Sequence, residues 1–247
     1  MARRLSGKNA LVTGASRGIG AGIVRRLASE GARVAFTYHK SQDKAEALVA
    51  EVEASGGRAL ALQADSADRA AVRASVETAV ASLGGLDILV NNAGGAHVAP
   101  LDGFAQEHYD WMLAVNVTAV FTAIQAAIPH LGRGGRIINI GSVTGDRIQM
   151  TGLVPFAMVK SAVKGLTRAA AFELGPRGIT VNNIQPGPTN TDANSESGPY
   201  AETVTAMIPV GKYAQPSDIA SAVAYLASPE AWFVNGASWK IDGGHAL

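Results

Sequence analysis

Short runs rich in valine and isoleucine alternate with longer alanine-rich stretches along most of this chain. The short runs, such as Asn9–Thr13 and Arg136–Ile140, are apolar along nearly their whole length. A strand that is apolar on both faces belongs to a parallel sheet with helices packed on each side. The alternation therefore predicts an α/β fold of the Rossmann type, in which three layers surround a doubly wound parallel sheet.

The pattern predicts seven strands, at residues 9–13, 33–38, 58–64, 86–90, 136–140, 179–184 and 238–241. It predicts helices at residues 18–30, 43–54, 67–83, 106–131, 155–174 and 216–227. No repeat or linker interrupts the series, so residues 1–247 are predicted to form a single domain. From Pro186 to Pro209 the chain is rich in Pro, Gly, Asn, Ser and Thr without periodicity. We expect a substrate lid there, at about residues 190–207.

Composition excludes several classes of function. The 247 residues carry a net charge of +1, so no basic surplus points to nucleic acid or to a membrane surface. The absence of cysteine excludes disulfides, thiolate zinc sites and cysteine nucleophiles. The five histidines have no metal-ligand spacing, and we expect no metal. The basic start lacks a following apolar run, and no apolar stretch approaches the ~20 residues of a membrane span, which predicts a cytoplasmic protein.

A glycine-rich loop follows the first predicted strand and opens the first predicted helix. Gly14 permits a tight turn, Gly18 lets the backbone approach a pyrophosphate, and Gly20 allows close packing of helix on strand. Free N–H groups and the helix dipole attract phosphates at such a position. The loop predicts a dinucleotide site whose first residues are Gly14, Ser16, Arg17, Gly18, Ile19 and Gly20.

The end of the second strand indicates which dinucleotide binds. Sites that prefer NAD place an acidic residue there, to hold the ribose 2′-hydroxyl. No Asp or Glu occurs from Ala32 to Gln42, where the chain instead has Tyr38, His39, Lys40 and Ser41. With Arg17, these groups can surround a 2′-phosphate, so NADP(H) is the predicted cofactor. The alternative is that Arg17 and Lys40 are solvated surface charges.

Seven motifs in register, over essentially the full chain, resemble the classical short-chain dehydrogenase/reductase family. They are Thr13–Gly20, Asp65, Asn91–Gly94, Asn116, Gly141–Ser142 with Lys160, Pro186–Gly187, and Asp242–Gly244. The resemblance implies further cofactor contacts by Asp65, Ser66, Asn92, Ala93, Gly94, Ile140, Lys160, Pro186, Gly187, Thr189 and Thr191.

The same resemblance implies reversible hydride transfer between NADP(H) and a carbonyl or alcohol. It implies that Ser142 hydrogen-bonds the substrate oxygen and that Lys160 binds the nicotinamide ribose. Asn116 would hold a helix kink and a water in the proton relay. Members of the family pair their long helices between subunits, so we expect a homotetramer or a dimer.

The chain departs from the family pattern at the proton donor. The family places a tyrosine four residues before the lysine, whereas this chain has Phe156. A phenyl ring can neither donate nor accept a proton, so ~10²–10⁴-fold of general acid catalysis would be absent. Three interpretations stay open. Phe156 is an engineered replacement that lowers activity; another group, or water held by Lys160, supplies the proton to an easier substrate such as an imine; or the protein binds a ligand without catalysis.

The third interpretation has support of its own. Segments such as Gly141–Arg147 and Gly175–Thr180 resemble a subgroup that includes a bacterial mediator of biofilm dispersal described as binding cyclic-di-GMP. A protein that binds this signalling nucleotide is therefore the alternative to an oxidoreductase.

Overall fold

A computed structural model describes residues 3–247 and contains one seven-stranded, fully parallel sheet with helices on both faces. The predicted α/β fold of Rossmann type is therefore confirmed. In chain order the strands are β1 (Asn9–Val12), β2 (Arg33–Tyr38), β3 (Arg58–Gln63), β4 (Ile88–Asn91), β5 (Arg136–Ile140), β6 (Thr180–Pro186) and β7 (Ser238–Ile241).

The helices cover most of the chain between the strands. They are α1 (Gly18–Ser29), α2 (Gln42–Ala54), α3 (Arg69–Leu83), α4 (Gln106–Leu113), α5 (Ala119–Ala127), α6 (Val154–Leu174), α7 (Ala201–Ala206) and α8 (Pro216–Ala227). A π-helical segment, Ala114–Thr118, joins α4 to α5. These helices separate every pair of consecutive strands, as parallel connections require.

The structure differs from the sequence prediction in two places. The helix predicted over residues 106–131 ends at Ala127 and is interrupted by the π-helical segment. Helix α7 lies inside the stretch predicted to be irregular, because its six residues are too few to show a helical period. The other boundaries agree to within about two residues, the usual scatter at element ends.

The order of the strands is β3-β2-β1-β4-β5-β6-β7, so the direction of winding reverses between β1 and β4. In register, Leu11 of β1 pairs with Ala35 of β2 on one side and with Leu89 of β4 on the other. Connections leave β1 and β4 toward opposite sides of the sheet, which opens a crevice at their carboxyl ends. This reversal determines where a ligand can bind.

Alternate residues of each strand enter two separate hydrophobic cores. Ala10 and Val12 of β1 belong to the core under α1 and α8, whereas Leu11 faces the core under α3 and α5. Residues that alternate in this way explain why the strands are apolar along their whole length.

The helix from Gln106 to Ala127 is long and apolar enough, by length and composition, to cross a membrane. It is not an uninterrupted apolar run, because it contains Asp110, Asn116 and Gln125. Moreover, 56% of its most apolar window is buried inside the protein, where α5 packs against α3 and β4. This burial is typical of a core helix.

A ladder of buried polar side chains fastens α6 to the middle of the sheet. Asn91 of β4 donates to Asn139 of β5 at 2.8 Å, and Asn139 donates to the Thr167 hydroxyl at 2.9 Å. Thr167 donates in turn to the carbonyl of Val163 at 2.7 Å. Buried polar groups of this kind are costly unless they are all satisfied. The ladder therefore sets the position of α6 relative to the sheet.

We expect Thr167→Val to lower the free energy of unfolding by about 1–3 kcal/mol, because it leaves the Asn139 amide buried with an unsatisfied donor. Urea denaturation monitored by circular dichroism measures the change. Thr167→Ser keeps the hydroxyl and is the matched control. A larger loss in Thr167→Ser than in Thr167→Val would mean that packing of the methyl group, rather than the hydrogen bond, holds α6.

Candidate cofactor and active site

The crevice at the carboxyl ends of β1 and β4 has two connected lobes. The outer lobe, about 570 Å³, extends from the glycine loop to the end of β2. The inner lobe, about 300 Å³, lies between the ends of β5 and β6 and the start of α6. Thr191 and Ala193 line both lobes, so the segment after β6 bounds the whole crevice.

The structure gathers the predicted site residues at this crevice, although their sequence positions are far apart. The outer lobe is lined by Gly14, Ser16, Arg17, Gly18, Ile19, Gly20, Tyr38, His39, Lys40, Ser41, Asp65, Ser66, Asn92, Ala93 and Gly94. The inner lobe is lined by Ile140, Ser142, Phe156, Lys160, Pro186, Gly187, Thr189 and Thr191. Asn116 lines neither lobe and lies behind the loop that follows β4.

The glycine loop has the backbone geometry that a pyrophosphate requires. Gly14 and Gly18 have φ angles of +62° and +57°, and a Cβ on Gly14 would lie 2.8 Å from the Cα of Ala93. Arg17 is the N-cap of α1 but its side chain makes no capping hydrogen bond, and the first turn holds no acid. The N–H groups at the start of α1 are therefore available to an anion. The loop fits a dinucleotide phosphate.

The end of β2 presents no carboxylate to the outer lobe, as the sequence indicates. Its neighbours are Tyr38, His39, Lys40 and Ser41. His39 Nε2 lies 3.6 Å from Asp65, the acid that follows β3. Trp111 and Asp192 also line this lobe, and Lys44 forms an ion pair with Asp192 at its rim. None of these three was a predicted site residue.

The inner lobe contains a buried ammonium group. Lys160 Nζ donates to the carbonyl oxygen of Ile140 at 3.2 Å and lies 5.6 Å from the centre of the Phe156 ring. Within residues 3–247, no carboxylate oxygen approaches this nitrogen to within 4.0 Å. Burial therefore lowers the pKa of Lys160 to about 8. The ammonium can exchange its proton near neutral pH.

Ser142 is held by the short 3₁₀ turn that follows it. Its Oγ accepts a hydrogen bond from the Thr144 N–H at 3.1 Å and donates to the Thr144 hydroxyl at 3.2 Å. A serine that caps the N–H two residues later is a common local arrangement, so the sequence contained a signal for Thr144. The contact fixes the Ser142 hydroxyl at the wall of the inner lobe.

Asn116 lies within the π-helical segment, and its amide connects the helix to the loop after β4. Its Nδ2 donates to the carbonyls of Gly95 and Met112, both at 2.9 Å, and its Oδ1 accepts from the Gly95 N–H at 3.3 Å. A Cβ on Gly94 would lie 2.9 Å from this Oδ1 and 3.4 Å from Lys160 Nζ. Only glycine fits between these two groups.

Comparison of the whole sequence with known proteins gives a consistent family. The family model described as enoyl-(acyl carrier protein) reductase matches residues 14–246. The cyclic-di-GMP-binding biofilm dispersal mediator protein of Escherichia coli K12 is 43% identical over 238 residues, which span 96% of this chain and 97% of that protein. A 3-oxoacyl-[acyl-carrier-protein] reductase of Staphylococcus aureus is 42% identical over 242 residues, 96% and 97% of the two chains.

Solved structures agree with this assignment. A short-chain dehydrogenase/reductase from Serratia marcescens is 51% identical with a TM-score of 0.97, covering 99% of this chain and 100% of that one. A short-chain dehydrogenase from Burkholderia cenocepacia, solved in complex with NADP, is 48% identical with the same TM-score, 0.97, and the same coverage, 99% and 100%. With its fold, its motifs and these relatives, this chain belongs to the short-chain dehydrogenase/reductase family.

Proposed function

We propose that this protein is an NADP(H)-dependent oxidoreductase that reduces a small carbonyl or imine compound, or oxidises the corresponding alcohol. The observation that carries the proposal is the inner lobe, where the Ser142 hydroxyl and the Lys160 ammonium line a single cavity of about 300 Å³. That cavity opens into the lobe that fits a dinucleotide. A small substrate placed there meets a hydrogen-bond donor and a positive charge.

The outer lobe supports NADP(H) as the cofactor. Its phosphate end is the uncapped start of α1, and its ribose end combines Arg17 and Lys40 with no acid on β2. The solved relative from Burkholderia cenocepacia holds NADP. Residues of the outer lobe would hold the adenosine and phosphates, and Ile140, Pro186, Gly187 and Thr189 would contact the nicotinamide end.

When bound, the cofactor supplies or accepts a hydride. The residues of the chain stabilise the negative charge that grows on the substrate oxygen as a carbonyl is reduced. Ser142, held by the Thr144 N–H, would turn its hydroxyl proton from the Thr144 hydroxyl to that oxygen. Lys160 holds a positive charge at the floor of the cavity, and Asn116 fixes the loop that carries Gly94 and Gly95 beside it. Hydride transfer is thus supported, but no tyrosine hydroxyl is present at position 156 to donate the last proton.

We propose that Phe156 replaces a tyrosine that an ancestral or unmodified form of this enzyme carried. The protein with Phe156 would then catalyse its reaction slowly. The ring lines the inner lobe and presents no hydroxyl. Among the residues that line this lobe within the described chain, Lys160 alone carries a titratable proton. Lys160, directly or through water, is therefore the proton source for the turnover that remains. Substrates that need little protonation, such as imines, would be affected least.

Three broader proposals accompany this function. Residues 190–207, with Thr191 over both lobes, act as the substrate lid. The exposed apolar side chains of Phe121 on α5 and of Met158 and Phe172 on α6 support pairing of subunits into a homotetramer. The absence of cysteine agrees with a cytoplasmic location.

A second candidate function is the binding of cyclic-di-GMP. The E. coli relative with 43% identity is named for this ligand, and its match spans 96% of this chain. The uncapped start of α1, with Arg17 beside it, would suit the phosphates of such a nucleotide. Calorimetry that shows micromolar binding of cyclic-di-GMP would favour a signalling role, whereas NADPH binding without it would leave the oxidoreductase.

We expect Phe156→Tyr to raise NADPH-dependent reduction of ketones by ~10²-fold or more, because it restores a general acid beside Lys160. A panel of ketones, diketones and cyclic imines, followed by NADPH absorbance, measures the change. Phe156→Leu is the matched control, since it alters the ring but adds no hydroxyl. Affinity for NADPH should stay within about twofold in both variants, because the proposed contacts of its adenosine and phosphates all lie in the outer lobe, away from Phe156.

Failure of the tyrosine variant to gain activity would mean that the pocket is built around phenylalanine. Lys160→Arg then tests the residual proton source, because a guanidinium keeps the positive charge but does not release its proton. If Lys160 supplies the proton, the residual rate of the unmodified Phe156 protein falls as the pH rises through about 8. The Lys160→Arg variant is inactive at every pH.

We expect NADPH to bind at least ~10-fold more tightly than NADH, a difference of about 1.4 kcal/mol. The reason is that the end of β2 offers cations and no carboxylate to the ribose 2′ position. Fluorescence titration of each nucleotide measures the two dissociation constants. Equal constants would mean that Arg17 and residues 38–41 hold no phosphate.

We expect Lys160→Met to stabilise the protein at pH 7, by up to about 3 kcal/mol. The pKa of Lys160, about 8, lies below its ordinary 10.5, so the unfolded chain binds more protons between these values and stability rises with pH there. The cost of the buried charge is fully present below pH 8 and absent above about 10.5.

Urea denaturation of both proteins at pH 7 and pH 10 measures this effect. The advantage of the methionine variant should shrink toward the higher pH. Lys212→Met removes an exposed lysine and is the control for loss of charge. If the gain in free energy of unfolding of Lys160→Met is the same at both pH values, the buried charge of Lys160 does not destabilise the folded protein.

A further inference from the structure

One carboxylate oxygen bridges two cations at the rim of the outer lobe. Oδ2 of Asp192 lies 2.7 Å from Nζ of Lys44 and 3.4 Å from Nη1 of Arg17. Arg17 belongs to the glycine loop, Lys44 to the first turn of α2, and Asp192 to the segment after β6. Three segments that are distant in sequence therefore meet at a single negatively charged atom.

The same rim is where a ribose 2′-phosphate would lie. Arg17 and Asp192 both line the outer lobe, together with the residues that follow β2. In dinucleotide folds the end of this strand contacts the ribose 2′ position. Helix α2 begins there at Gln42, and its N-cap Ser41 makes no side-chain capping hydrogen bond. Two side-chain cations and the open start of a helix thus converge where the carboxylate now lies.

We propose that Asp192 is a built-in competitor for the 2′-phosphate of the cofactor, and that Lys44 acts with Arg17 as a further determinant of cofactor preference. The inference rests on the proposed use of NADP(H). The carboxylate holds the two cations as long as no 2′-phosphate competes for them. When the cofactor binds, its phosphate takes over both contacts and Asp192 moves away.

The strength of the contacts suits a competitor that can be displaced. The side chains of Arg17, Asp192 and Lys44 are 59%, 52% and 54% exposed, and ion pairs at such exposure are weak and sensitive to salt. A phosphate monoester carries about −1.5 to −2 charges at pH 7, whereas a carboxylate carries one. The phosphate therefore wins the shared cations, but part of its binding energy is used to displace Asp192.

Displacement of Asp192 reaches the inner lobe through its neighbours. Thr191 and Ala193 line both lobes, and a Cβ on Gly18 would lie 3.3 Å from the methyl carbon of Thr191. Release of the carboxylate therefore removes the ion pairs that tie this segment to the glycine loop and to α2, while the backbone hydrogen bond from Asn190 to Ala214 remains. Occupation of the 2′ position and the mobility of this segment are coupled.

The test uses two adenosine probes that lack nicotinamide. Calorimetry compares adenosine 2′,5′-bisphosphate with adenosine 5′-monophosphate on the parent chain, Asp192→Asn and Lys44→Gln. Glu202→Gln is the matched control, because it removes the same charge from α7 in the same segment but outside both lobes.

Asp192→Asn should bind the bisphosphate about threefold more tightly than the parent, and Lys44→Gln about threefold more weakly, the range of single exposed ion pairs. Neither substitution should change binding of the monophosphate by more than about 1.5-fold, because it lacks the 2′ charge. Both effects should shrink in 0.5 M salt. Hydrogen exchange at residues 190–194 should be faster in Asp192→Asn than in Glu202→Gln, both ligand-free.

Equal affinities of Asp192→Asn and Glu202→Gln for the bisphosphate would overturn the proposed competition. A loss in Lys44→Gln that is equal for both probes would overturn the role of Lys44 at the 2′ position. These outcomes leave NADP(H) binding by the parent chain intact. A parent chain that binds neither NADPH nor the bisphosphate would instead overturn the proposed cofactor, and the inference with it.

Discussion

The reversal of winding between β1 and β4 is the constraint on which the rest of the molecule depends. All seven strands are parallel, so every connection must cross a face of the sheet, and the two connections that start at the reversal diverge. Because these two connections run to opposite sides of the sheet, a crevice stays open between them. Each loop that carries chemistry leaves the carboxyl end of a strand at this opening: the glycine loop after β1, Asn92–Gly94 after β4, Ser142 after β5, and Pro186–Gly187 after β6.

The second feature that shapes the candidate site is the burial of Lys160. An ammonium group with no carboxylate partner is costly inside a protein, and its lowered pKa expresses that cost. The ladder from Asn91 through Asn139 to Thr167 holds α6 against the sheet and so holds Lys160 at the floor of the inner lobe. In the proposed function, the stability that is lost there keeps a positive charge beside the substrate oxygen, which becomes negative during reduction. Phe156 leaves this arrangement in place, because it differs from tyrosine by a single oxygen.

Particular elements show why some features were predictable and others were not. The glycine loop, Ser142 and Lys160 follow from motifs that recur at fixed spacing, and the strands follow from runs of apolar residues buried on both faces. Helix α7 and the π-helical segment are short, so no period marks them. The end of the helix at Ala127 depends on how the chain returns to β5, which is a matter of packing. Lys44 belongs to no motif, and its ion pair with Asp192 joins residues 148 positions apart that no spacing in the sequence connects.

Local composition and spacing were sufficient to predict a parallel α/β fold, a dinucleotide loop, an NADP(H) cofactor and the absence of a hydroxyl group at Phe156. These properties depend on residues that are close in sequence, or on the chemistry of a single side chain. Contacts between distant segments decided the rest: the depth at which Lys160 is buried, the clamp of Thr144 on Ser142, and the meeting of Asp192 with Arg17 and Lys44. Their energies depend on desolvation and on distances of a few ångströms, which exist only once the chain is folded.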